Sequence, residues 1–354
     1  MRLLLATILF AVSAPAMAQQ SAVPSRDIIN GAIENYIRPN FHQFAEESAA
    51  LVAKVGNLCA LPSADALTQV HDQFRSTVLA FSRVEFVRIG PLGLGDRLER
   101  LLFWPDRKGI ALKQVQGALA TRDETATDPA TLVDKSVAMQ GLVALEYLLF
   151  GTGADALATG DDYRCRYAGA SSTLIANLAD TIDREWADPK GASDHMLSPQ
   201  PTYDDYRTET EVLEKLAATL IHGTETVRDQ RLTPILGDGA PKPKSALFWR
   251  SGMTAAALGA NFAGLHDYFL AAGYPAAVGV ANSWVANSAI FEFENAVRAA
   301  GIVTLPIDKA VSDDEQLKAL KYMLIITGSL DTILGQNLAA ALGLSVGFSA
   351  LDGD

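Results

Sequence analysis

Three groups of residues in this chain could do chemistry. The first is Glu146, the one charge in the apolar run Met139-Gln140-Gly141-Leu142-Val143-Ala144-Leu145-Glu146-Tyr147-Leu148-Leu149-Phe150-Gly151. A carboxylate buried unpaired among such neighbours costs several kcal/mol, so Glu146 has to meet a cation, a metal or the water of a cleft. The second is Glu85, which follows Phe81 by one helical turn and so sits beside the apolar face of its own helix. Two such carboxylates on neighbouring helices could clasp a divalent cation. The competing arrangement pairs each of them with an arginine, and Arg83, Arg88 and Arg250 are at hand. The third group is Arg250-Ser251, set between Phe248-Trp249 and a small-residue run from Gly252 to Gly264 that permits close helix approach. An arginine so placed could hold an anion bidentately. Its alternative role is an ion pair between halves of the molecule, with Asp352 or Asp354.

Other chemistries find little support. The five histidines, His42, His71, His195, His222 and His266, include no two at metal-ligand spacing and form no His-Glu-x-x-His peptidase motif. No Gly-x-Ser-x-Gly nucleophile elbow occurs. Gly90-Pro91-Leu92-Gly93-Leu94-Gly95 lacks the flanking strand of a nucleotide loop and reads as a turn between helices. The aromatic residues of Trp104-Pro105 and Phe248-Trp249 fit core or interface packing better than a ligand platform.

The elements that must position these residues show helical periodicity almost throughout. After a cap-like Ser63, Leu67, Val70, Phe74, Thr77, Phe81 and Val84 follow a three-four spacing. Similar stripes run over 27–58 with an interruption at Pro39, over 131–150, and over 171–186. Between Trp186 and Tyr206 the composition turns to Asp, Pro, Gly, Ser and Gln. Helices resume over 204–231, 245–271, 275–300 and 313–342, the last opened by Ser312-Asp313-Asp314-Glu315, the spacing of a capping box. The expected fold is all-α: two packed antiparallel helical bundles, an N-terminal bundle over 19–190, a linker over 191–203 and a C-terminal bundle over 204–354 with an ordered tail. A faint echo of Phe74-Arg75-Ser76 in Trp249-Arg250-Ser251 is what a duplicated four-helix bundle would leave behind.

Arg2, the apolar stretch Leu3 to Val12 and Ala16-Met17-Ala18 together read as a secretory signal peptide over 1–18, too short to span a membrane. No cysteine follows the cleavage site, so the mature chain should start at Gln19 in the periplasm without a lipid anchor or a transmembrane segment. There are two cysteines, Cys59 and Cys165, and an oxidising compartment favours a disulfide between them over two buried thiols. The net charge of -12 argues against nucleic acid and anionic membrane surfaces as partners.

The run Gly141 to Gly151 is similar to the signature helix of the imelysin family, also called M75 peptidases or iron-regulated imelysin-like proteins, whose motif is Gly-x-His-x-x-Glu. Gly141 and Glu146 match it; Val143 stands where the histidine belongs. The resemblance extends to Phe81-Ser82-Arg83-Val84-Glu85, Trp104-Pro105-Asp106, Phe248-Trp249-Arg250-Ser251-Gly252 and the tail Val346 to Asp354. It implies two similar helical bundles and a part in bacterial iron acquisition. The expected cleft between the bundles holds Glu85 and Glu146 as metal ligands and Arg83, Trp104, Asp106, Arg250, Ser251 and Asp352 as ligand-binding residues. Val143 cannot ligate a metal, so the expected protein binds iron, haem or an iron-bearing partner, such as an iron-uptake or outer-membrane protein, without catalysis. Its rivals are a metallopeptidase in which another ligand replaces the histidine, and a metal-free periplasmic interaction scaffold.

Overall fold

The stripe after Ser63 forms the spine of the structure. In the computed structural model, which describes residues 23–237 and 239–344, Val70, Phe74, Thr77, Phe81 and Val84 are all buried along one face of a helix over Ala64–Val84. The Ser63 hydroxyl accepts from Ala66 N at 3.1 Å and caps that helix. The longer helices are α1 (Arg38–Ala60), α2 (Ala64–Val84), α3 (Ile110–Thr121), α4 (Gly141–Phe150), α5 (Asp162–Ala187), α6 (Glu209–Thr226), α7 (Thr254–Ala271), α8 (Ser283–Ile302) and α9 (Asp314–Thr332). No strand occurs among the described residues, and none of their helices is long and apolar enough to cross a membrane. The leader over 1–18, the start at Gln19 and the tail with Asp352 lie outside them.

In the first half α1 packs on α2 and on α5. In the second, α8 lies between α7 and α9. The halves meet where α7 crosses α2, and one continuous apolar core runs through both. Gly264 of α7 makes that crossing close: a Cβ there would come within 2.6 Å of the Arg83 carbonyl oxygen. Tyr36 and Phe86 meet Tyr268 edge-on at the same seam, with ring centroids 5.4 and 5.5 Å apart. The stretch 191–203, expected as a linker, holds a short helix over Ala192–Leu197 whose Met196 is fully buried.

Pro39 interrupts no helix, because a π-helical turn over Ile33–Ile37 runs directly into α1 and carries the proline at its first turn. The same device recurs at Val227–Leu232, followed by Pro234. Proline lacks an N–H and crowds the carbonyl four residues back, and a π turn shifts that carbonyl out of register. The expected helix over 131–150 is broken instead: Gln140 donates to the carbonyls of Leu132 and Lys135 at 2.9 and 3.0 Å, holding an irregular segment before α4.

Cys59 and Cys165 are joined, tying the end of α1 to the first turn of α5 across 106 residues of sequence. Constraining so long a loop in the unfolded chain is worth about 4 to 5 kcal/mol. The Cys59→Ala/Cys165→Ala double variant should therefore lose about that much stability in urea unfolding, with the helical content of the folded state unchanged.

Candidate functional site

The start of α4 depends on Gly141. Its φ of +70° belongs to the left-handed region, and a Cβ would lie 2.3 Å from the Arg100 carbonyl oxygen. α4 is thereby pressed against the Arg100-Leu101 backbone, with Leu142, Leu145, Leu148 and Leu149 all buried. Val143, Ala144 and Tyr147 are left along one wall of a cavity, while Glu146 meets a turn from the other half.

That turn carries Trp249 and Arg250. Ser251 donates its backbone N–H and its hydroxyl to Glu146 Oε1 at 2.9 and 2.8 Å. Burial pushes the Glu146 carboxyl above its usual range, against the lowering effect of the two Ser251 donors and the Arg250 charge. The turn closes with Met253 N donating to the Phe248 carbonyl at 3.0 Å, and requires φ values of +57° at Phe248 and +72° at Gly252. These conformations are incompatible with a helix, so α7 begins at Thr254 rather than at Ser245 as the periodicity suggests. Trp249-Arg250-Ser251 consequently has no helical counterpart to Phe74-Arg75-Ser76.

The partner of Glu85 is Arg231, 2.7 Å away with both side chains buried. The other Glu85 oxygen accepts from Asn261 at 2.7 Å, and Arg88 reaches the Glu85 carbonyl at 3.3 Å. Arg231 comes from the π turn over Val227–Leu232, in a polar stretch of sequence with no signal to single it out. Of the arginines considered from the sequence, Arg83 pairs with Asp267 on α7 and does not line the cavity.

The cavity has a volume of about 580 Å³ and lies between the halves, lined from one side by residues 104–147 and from the other by 229–250. Trp104 donates its indole N–H to the Gln230 carbonyl at 2.9 Å and so bridges the two walls. Asp106 accepts from Ile110 N and Ala111 N at 2.8 and 2.9 Å, capping α3. Asp229 pairs with Arg228. Four cations line the same space: Arg107, Lys242, Lys244 and Arg250. The Arg250 guanidinium lies over two rings, 4.4 Å from the Trp249 centroid and 5.3 Å from that of Tyr147, and burial lowers its pKa. The cavity thus brings together Trp104, Asp106 and Arg250 of the expected residues, with Ser251 and Glu146 directly behind them.

A bare metal ion fits poorly here. Val143 offers no donor, both oxygens of Glu85 take protein donors, and Glu146 accepts twice from Ser251. Among the described residues no three His, Cys, Asp or Glu side chains converge to hold a metal, and no histidine lines the cavity.

The described residues form an all-α protein with a cavity lined from both halves of the chain, one wall carrying Val143, Ala144 and Tyr147 of α4. The chain belongs to the imelysin family, whose model, named for peptidase M75, matches residues 37–329. In fold it is similar to the crystal structure of an imelysin-like protein from Psychrobacter arcticum 273-4, with a TM-score of 0.78 at 19% identity over 93% of this chain and 99% of that one. It is similar also to a candidate iron-regulated protein A precursor from Parabacteroides distasonis ATCC 8503, with a TM-score of 0.73 at 12% identity over 89% and 95% of the two chains. No curated protein matches it.

The raised Glu146 carboxyl has a consequence for stability. The folded protein keeps this proton where the unfolded chain, with an ordinary value of 4.5, has released it. The stability it contributes is full below that pH and is lost as pH rises through the raised folded value. Relative to Glu146→Gln, the native chain should therefore lose stability as pH rises from about 4.5 and level off above the folded value, a trend that paired urea midpoints across pH would display.

Proposed function

We propose that this protein is a non-catalytic, exported imelysin-family protein that binds an iron-bearing small molecule, haem or a ferric chelate, in the cavity between its halves and serves iron acquisition in the periplasm. The observation that carries this reading is the cavity wall: rings and cations surround Val143, and Glu146 is occupied in holding the turn of Ser251. Such a lining suits an organic ligand of moderate size. Among the described residues no three His, Cys, Asp or Glu side chains converge to hold the metal that an M75-type peptidase needs, and no histidine lines the cavity to serve as a base. The family membership and the iron-regulated name of one structural neighbour support the link to iron. On this reading residues 1–18 direct export, residues 104–147 of the first half and 229–250 of the second form the two walls, and an iron-uptake or outer-membrane protein receives or delivers the ligand.

The test is thermal unfolding of the chain from Gln19 to Asp354 with haemin, ferric citrate, ferrous ion, zinc and calcium in turn. A ligand at 100 times its dissociation constant adds about 2.7 kcal/mol to the folded state. A raised midpoint with haemin or the ferric chelate, and none with the bare ions, is expected. No shift with any iron species would overturn the proposal. Chelator-sensitive peptide cleavage that Glu146→Gln abolishes would replace it with the peptidase reading.

A further inference from the structure

The charges of the cavity are unbalanced in one direction. Its two carboxylates are committed within the protein, Asp106 to the first turn of α3 and Asp229 to Arg228. Its cations are not. Among the described residues Arg250 makes no side-chain hydrogen bond and no direct ion pair; it is half-buried, desolvation disfavours its charge, and Glu146, the carboxylate whose field favours that charge, accepts from Ser251 instead. Lys244, at the exposed rim, has its Nζ 5.8 Å from the Trp249 ring centroid and, among the described residues, pairs with no carboxylate. This local excess of positive charge occurs in a chain whose net charge is -12.

The apolar part of the lining is equally specific. Trp249 and Tyr147 flank the Arg250 guanidinium, Trp104 stands on the same wall as Pro105, and Leu112, Val115 and Val143 close the space behind them. A cation held over ring faces keeps its N–H groups directed outward in the ring plane, where they can meet an acidic group. Flat rings and aliphatic side chains around it receive a flat apolar body.

We infer that the cavity selects an aromatic anion, a planar ring system bearing a carboxylate or phenolate, with the acidic group on Arg250 and the rings against Trp249, Trp104 and Val143. This inference rests on the cavity being the ligand site proposed above, and it names the chemistry by which the ligand is recognised. Recognition resides in the organic frame, so an iron-free aromatic acid should bind as well. Valine at 143 belongs to the same design, because a side chain without hydrogen-bonding capacity presents a dry wall to a ring.

The experiment uses 2-naphthoate and its neutral isostere 2-naphthamide with the chain from Gln19 to Asp354, followed by tryptophan fluorescence, since two of its four tryptophans line the cavity. The acid should bind at least about tenfold more tightly than the amide, and raising salt should narrow the gap. Arg250→Gln should remove the preference for the acid and Trp249→Ala should weaken both ligands, while Arg298→Gln, an exposed change on α8, should leave both unchanged. Equal binding of acid and amide, or no binding of either, would overturn the inference even if a variant failed to fold, because that comparison needs the native chain alone. Haemin run in parallel separates the two readings: haemin binding without the acid preference leaves the iron proposal and removes this one. Binding of the acid without haemin or the ferric chelate does the reverse.

Discussion

A carboxylate in the middle of an apolar helix has to be answered by donors, and in this protein the answer comes from the opposite half of the chain. The two hydrogen bonds from Ser251 to Glu146 are the point on which the cavity depends. Ser251 is the last residue of the pair that also presents Arg250, so the interaction holding the turn down also aims the guanidinium. The charge on Arg250 in turn lowers the proton affinity of Glu146. Glu146 thus braces the turn through Ser251, and Arg250, one position before it, lines the cavity.

The same logic governs the seam as a whole. Glu85 is answered by Arg231 and Asn261, again from the second half. Trp104 crosses to Gln230, and Gly264 brings α7 onto the backbone of α2. Polar groups buried at this boundary are costly when one partner is removed, so they specify one register of the two halves more than they add to stability. The disulfide acts elsewhere, within the first half, on the entropy of the unfolded chain.

The helical fold was legible because its signals are local. The stripe of α2, the Ser63 cap and the pairing of the two cysteines follow from spacing and residue type, whereas α9 is capped by Asp313, which accepts from Gln316 N, one residue past the Ser312 that the capping-box spacing points to. The cavity was half legible: Trp104 and Asp106 were named through the family resemblance, Arg250 through its place between Phe248-Trp249 and a run of small residues, and Glu146 through its isolation among apolar residues. Arg231 was not, since a partner 146 residues away leaves no trace in one sequence. Nor was the turn before α7, because Phe248 adopts a positive φ that its side chain does nothing to announce. Lys242 and Lys244 sit in a Pro-rich loop where lysine usually signals only exposure; both are exposed, and that the loop borders the cavity is visible only in three dimensions.

The central claim, that Glu146 holds the turn which aims Arg250, is tested most directly by hydrogen exchange at the Ser251 amide. In the native chain this N–H donates to a buried carboxylate and should be well protected. In Glu146→Ala it should exchange at least about tenfold faster, with α2 and α5 amides unchanged to show that the fold persists. An equally protected Ser251 amide in the two proteins would contradict the account, and would mean that the turn holds its shape without the carboxylate.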